Sequence, residues 1–142
     1  MFIGEFNHNI DAKGRAIVPS KFREELGDKF IVTKGMDGCL FLYTLSAWEA
    51  YVAKLSTLPT TDPNARRFVR IVTAGASECE PDGNGRIMIP ASLREFAGIT
   101  KEIVTIGANN RVEIWDKQRW ADYNGDGDFN DELIASMAEF GI

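Results

Sequence analysis

The sequence writes one unusual phrase twice. "DAKGRAIVPS" begins at Asp11 and "DGNGRIMIPA" begins at Asp82. At the offset of 71 set by these two aspartates, Gly14 meets Gly85, Arg15 meets Arg86 and Pro19 meets Pro90. Arg23 and Glu24 meet Arg94 and Glu95, Gly27 meets Gly98, and upstream Gly4 meets Gly75. Apolar positions follow, with Ile17 on Met88, Val18 on Ile89 and Phe22 on Leu93. Beyond Gly98 the offset slips by one, and "IVTKGMDGCLFLY" from Ile31 lies on "IVTIGANNRVEIW" from Ile103. Two copies are too few for a solenoid, which needs at least about three repeats. They predict a pseudo-twofold pair closing one shared core.

Each copy parses alike. A short strand enters a turn, Asp11 to Gly14 or Asp82 to Gly85, with Asp first and Gly fourth as a type I turn favours. The carboxylate can accept from backbone N–H groups inside the turn, and glycine tolerates the positive φ that follows. A strand, "RAIVP" or "RIMIP", is closed by proline, which cannot donate to the ladder. A short helix comes next, "SKFREEL" or "ASLREFA", with Ser20 as expected N-cap and Gly27 or Gly98 at its end. Each copy finishes in a hairpin, turning at Asp37-Gly38 or at Asn109-Asn110.

The expected layout is a first repeat at 1–45, a helical linker at 46–74, a second repeat at 75–120, and an acidic connector with a C-terminal helix at 121–142. The repeats form one compact unit. In the linker, Ser46 and Glu49 stand at capping-box spacing, and Trp48, Val52, Leu55 and Leu58 make an apolar stripe. A second linker helix starts with Asp62 as cap and Pro63 at its first position. It turns Ala65, Phe68, Val69 and Val72 inward and Arg66, Arg67 and Arg70 outward. The fold class expected is β-rich α+β.

Turn chemistry accounts for Asp11, Gly14, Asp82 and Gly85. It does not demand Arg15 or Arg86. Both copies nevertheless place an arginine there, while the central turn residues differ, Ala-Lys against Gly-Asn. A guanidinium is a planar fork of donors suited to phosphate or to the O6/N7 edge of guanine. The aspartate can orient that fork.

Several segments together carry a family resemblance: "MFIGEFNHNIDAKGRAIVPSKFRE", "TKGMDGCLFLY", "AGASECEPDGNGRIMIPASLREFAGI" and "VEIWDKQRW". From Met1 to about Tyr123 the chain resembles the MraZ family of bacterial transcriptional regulators. The resemblance implies an AbrB/MazE-like, swapped-hairpin double-split β-barrel with both halves in one chain. It implies sequence-specific binding to short direct repeats in double-stranded DNA, upstream of the division and cell-wall gene cluster that contains the family's own gene, with autorepression. It implies a homo-oligomeric ring of about eight or more subunits, a closed heterologous assembly. The family's Asp-x-x-x-Arg motif falls on Asp11 with Arg15 and on Asp82 with Arg86, with no departure in either copy.

The formal net charge is −5, which counts against a protein that coats nucleic acid indiscriminately. A ring resolves this: each subunit needs only a small basic tip, and several tips on successive repeats multiply effective concentration. Lys13, Lys21 and Arg23 are candidate phosphate contacts near the first tip. Their second-copy counterparts include Asn84 and Ser92, so the first loop is the more basic.

Rival readings are weaker. "DYNGDGDFNDEL" places Asp122, Asn124, Asp126 and Asp128 at ligand positions of a calcium loop, but the twelfth position is Leu133 instead of a carboxylate. A solvated acidic connector, with Asp131 and Glu132 favouring the start of the last helix, is the simpler reading. His8, the sole histidine, is expected to cap or pack beside the first strand. No nucleophile–His–acid constellation appears, so no enzyme and no cofactor is expected. Cys39 and Cys79 read as reduced thiols of a cytoplasmic protein, and the resemblance implies association with the nucleoid. No apolar run reaches the roughly 20 residues of a membrane helix, and no secretory signal is expected at the start. Trp48, Trp115 and Trp120 read as core or subunit-contact residues. The functional alternative is a self-assembling protein-interaction module without base readout of its own.

Overall fold

The computed structural model describes residues 1–125 and 127–142. Its first copy contributes β1 (Glu5–Asn9), β2 (Arg15–Ile17), α1 (Ser20–Leu26), β3 (Phe30–Lys34) and β4 (Leu40–Thr44). Two helices follow, α2 (Leu45–Leu55) and α3 (Pro63–Ala74). The second copy supplies β5 (Ser77–Cys79), β6 (Arg86–Met88), α4 (Ala91–Ala97), β7 (Glu102–Gly107) and β8 (Val112–Asp116). The chain ends with α5 (Lys117–Asn124) and α6 (Asp131–Ala138). The fold is mixed α and β, and every strand pairing is antiparallel.

The larger sheet runs β1-β7-β8-β4-β3-β5, and the smaller pairs β2 with β6. Exchanging the copies turns the larger order into its own reverse. The hairpins β3–β4 and β7–β8 meet at the centre through β4 and β8, with Phe41 opposite Glu113. Each outer strand lies on the other copy's hairpin: Asn7 faces Val104, and Ile31 faces Glu78. The pairing is therefore crossed, and neither copy completes its own sheet.

The hairpin strands are apolar nearly throughout, because both faces of the sheet are covered. Successive side chains point to opposite faces. Leu40 and Leu42 enter the main core with Phe22, Phe30, Ile87, Ile89 and Leu93, while Phe41 and Tyr43 turn to the opposite face with Trp115. Helix α2 lies over that second face, where Trp48 and Tyr51 pack on Tyr43. Trp120 of α5 meets Trp115 edge-on. The three tryptophans are thus buried or half-buried. Phe6 of β1 and Phe2 each pack edge-on against Phe22 of α1.

Two expected caps are displaced. Helix α1 takes Pro19 as N-cap with no side-chain bond, and Ser20 is already its first helical residue. Proline fixes φ near the value the helix needs, so strand end and helix start coincide. Helix α2 begins directly off β4, with Thr44 Oγ1 accepting from Ala47 N at 3.0 Å. Ser46 therefore sits inside the first turn, out of register for a box with Glu49. The buried residue of α2 is Leu55, with Tyr51 packed beside Trp48, while Leu58 lies beyond the helix and exposed. Helix α3 is capped as expected by Asp62, which accepts from Asn64 N and Ala65 N, and Pro63 opens it. It buries Val72, half-buries Ala65 and Val69, and leaves Phe68 exposed, because it rests on β3 only near its C-terminal end, where Thr33 Oγ1 donates to the Val72 carbonyl.

Asp122 and Asn124 lie in the last part of α5, and Gln118 Nε2 donates to Asp122 Oδ1. Asp128 follows that helix, and Asp126 lies outside the described residues. No group of three or more His, Cys, Asp or Glu placed to hold a metal ion occurs among the described residues. Among them, too, no helix is long and apolar enough to cross a membrane.

Candidate nucleic-acid interface

The small sheet is built from the two repeated phrases. Arg15 pairs with Met88, Ala16 with Ile87, and Ile17 with Arg86. The alternation of a strand then fixes its two faces. Ala16 and Ile87 point into the core, 1% and 2% exposed. Arg15, Ile17, Arg86 and Met88 share the outer face. Ile17 and Met88 there are 44% and 53% exposed, unusual for large apolar side chains of a strand. Two more bonds extend the ribbon symmetrically, Val18 N to the Gly85 carbonyl at 3.0 Å and Ile89 N to the Gly14 carbonyl at 2.9 Å. The arginines occupy diagonal corners, their Cα atoms roughly 8 Å apart from strand rise and spacing.

Each arginine is held by the aspartate that opens its turn. Asp11 Oδ1 accepts from Lys13 N at 2.9 Å and Arg15 N at 2.8 Å, and Oδ2 accepts from Arg15 Nε at 2.7 Å. Asp82 repeats the pattern with Asn84 N, Arg86 N and Arg86 Nε at 2.9, 3.0 and 2.9 Å. The turn closes with Gly14 N donating to the Asp11 carbonyl and Gly85 N to that of Asp82. Both carboxyls are held below their usual 3.8, first by the backbone N–H of Arg15 or Arg86, which outweighs partial desolvation. The pair engages Nε, so the Nη nitrogens of each fork are not the atoms that hold it. Both aspartates stay ionised at neutral pH and aim a partly exposed guanidinium outward.

The turn glycines have a second reason to be glycine. Gly14 and Gly85 have φ of 84° and 76°. A Cβ on Gly85 would stand 2.5 Å from Arg23 Cζ, and one on Gly14 would stand 2.6 Å from Arg94 Nη1. The two helix arginines thus cross between copies and support each other's turns from behind. Arg23 is anchored by Nε donation to the Val18 carbonyl at 2.9 Å. Its guanidinium therefore lies behind the second tip, not beside the first, where the sequence placed it. Arg94 Nε is buried without a hydrogen-bond partner. Lys13 and Lys21 are exposed, Lys13 at the crest of the first turn.

The structure brings Asp11, Gly14, Arg15, Asp82, Gly85 and Arg86 to one ribbon. Sequence reasoning passed over Ile17 and Met88 as functional residues, since an apolar residue in a strand reads as core. It also passed over Arg94, although the repeat offset already matched it to Arg23.

A family model described as "MraZ protein, putative antitoxin-like" matches residues 1–71 and again 72–131. The chain is 55% identical to a protein of Acetivibrio thermocellus named "Transcriptional regulator MraZ", across the full length of both. Proteins of the same name from Clostridium acetobutylicum and Thermoanaerobacter sp. (strain X514) are 51% and 55% identical. The first match spans all of both chains, the second 95% of this chain and 94% of its relative.

Proposed function

This chain belongs to the MraZ family, and we propose that it is a transcriptional regulator that reads double-stranded DNA with the β2–β6 ribbon. The observation that carries this reading is the doubled aspartate-held arginine on one exposed two-stranded ribbon. The major groove, about 12 Å wide, admits such a ribbon. Two forks carried on Cα atoms about 8 Å apart then reach base edges or flanking phosphates of one groove segment. The aspartates fix each fork before contact, which reduces the ordering cost of binding. Ile17 and Met88 supply apolar contact of the kind that thymine methyl groups accept. Lys13 and Lys21 add charge for phosphates.

The crossed strand order supports a swapped-hairpin barrel of the AbrB/MazE type. The functional unit on this reading is a homo-oligomeric ring engaging short direct repeats near its own gene and repressing it, in the cytoplasm on the nucleoid. Repeats one helical turn apart, about 34 Å, keep successive tips on one face of the duplex. The acidic remainder of each chain opposes indiscriminate coating, since the net charge is −5.

Fluorescence anisotropy with the duplex upstream of the protein's own gene, beside a random duplex, tests the reading. Arg15→Ala and Arg86→Ala should each weaken binding to the upstream duplex by about 1–3 kcal/mol. Oligomer mass should not change. Equal affinity for both duplexes, or variants that bind as the parent does, would overturn it.

A further inference from the structure

Two surfaces remain that the ribbon does not use. The first is α6. Every residue from Asp131 to Ile142 is exposed, so nothing in its own chain covers this helix. Leu133, Ile134 and Met137 nevertheless recur at spacings that share one face, and the exposed Phe140 follows in the turn just beyond the helix. Asp131, Glu132 and Glu139 make the segment acidic, and it contains no Lys or Arg.

The second is the cleft between α2 and α3. Leu55, Leu58, Ala65 and Val69 line a recess of about 260 Å³. Leu55 and Leu58 continue into a larger groove of about 850 Å³, where Tyr51 and Phe68 join them. Arg66 and Arg70 border the smaller recess, and Lys54 lines the larger groove. Helix α3 holds three arginines and no acidic residue, and all three are exposed. Arg66 gives an Nη1 bond to the Thr60 carbonyl at 3.0 Å.

We propose that α6 of one copy docks in the α2–α3 groove of the next, its apolar face on Tyr51, Leu55, Leu58 and Phe68 and its carboxylates against the α3 arginines. Apolar burial supplies the attraction, and opposite charge selects the partner and its register. The two surfaces differ, so the contact is heterologous and propagates head to tail until it closes. This rests on the oligomeric part of the proposed function and names the contact that builds it. It also gives Arg66 and Arg70, which line the recess, a task.

Light-scattering mass measurement on the full chain tests it. Ile134→Lys with Met137→Lys disables the helix, and Leu58→Glu with Arg70→Glu disables the groove; all four positions are exposed, so the fold should persist by circular dichroism. Each variant should run as a single chain of 15.8 kDa. Mixed together they should form one-to-one dimers and stop there, since only one intact helix and one intact groove remain. Variants that assemble like the parent overturn the docking and leave DNA reading intact. A helix variant that loses thermal stability at unchanged mass shows α6 covering its own chain, and overturns it. An Arg70→Glu protein that keeps its mass but loses the upstream duplex assigns α3 to nucleic acid, and also overturns it. A parent protein that runs as a single chain overturns the oligomeric reading itself.

Discussion

The guanidinium of Arg23, on the helix of the first copy, lies against Gly85 in the turn of the second. Arg94 does the same for Gly14. Each arginine tip is thus seated on a side chain from the opposite half. The shape of one tip depends on the packing of both halves.

Gly85→Ala should therefore be costly twice over. The left-handed φ alone disfavours a Cβ by about 1–2 kcal/mol. The Arg23 guanidinium must also withdraw, which strains its bond to Val18. A fall in melting temperature together with weaker binding to the upstream duplex is the expected outcome. Gly27→Ala is the control: its φ of 87° and ψ of −174° also strain any residue with a Cβ, but nothing lies within 4 Å of the added carbon. It should lower melting temperature and spare DNA affinity.

Acid should disable the tips late. Asp11 and Asp82 have folded pKa values below the unfolded 3.8. A depressed carboxyl contributes stability that is fully present above the unfolded value and is lost as pH falls through the folded one. Between pH 7 and 5 these two groups should leave melting temperature flat, and the loss should come below about 3.8. Replacing both with Asn should flatten that part of the acid limb, as a melting series against pH would show.

Lys13 sits at the crest of the first turn, where the second has Asn84. Lys13→Asn should lower the slope of log affinity against log salt by about 0.9 if one phosphate contact is removed. Asn84→Lys should steepen it by a similar amount. Anisotropy titrations across a salt series give both slopes, and unchanged slopes would remove Lys13 from the contact.

Ile17 and Met88 are exposed, so Ile17→Ser and Met88→Ser should change unfolding free energy little, within about 0.5 kcal/mol for such surface sites. Binding to the upstream duplex should weaken while binding to the random duplex does not. Equal loss on both duplexes would make these side chains general spacers without a part in sequence choice.

Much of this architecture was legible in the sequence, because a duplication constrains two segments at once. The turns at Asp11 and Asp82, the proline-ended strands and both hairpins stand where the doubled phrase puts them. Local chemistry failed where neighbouring elements abut. Ser20 and Ser46 look like caps, but strand-to-helix junctions without a spacer hand that position to Pro19 and Thr44. Long-range choices left no local trace. Nothing near Asn7 says that its partner is Val104, and nothing near Arg23 says that it will lie under Gly85. The outward turn of Ile17 and Met88 was hidden because burial of the strand is decided by its alternate residues, Ala16 and Ile87.

Covalent linkage of the crossed halves has one more effect. A dimer of identical chains is obliged to present the same chemistry at both ends of its ribbon, and so favours a palindromic target. Here the ends have drifted apart, lysine at one crest and asparagine at the other. The ribbon has acquired a direction, which on the proposed reading suits it to sites that all point the same way along the double helix.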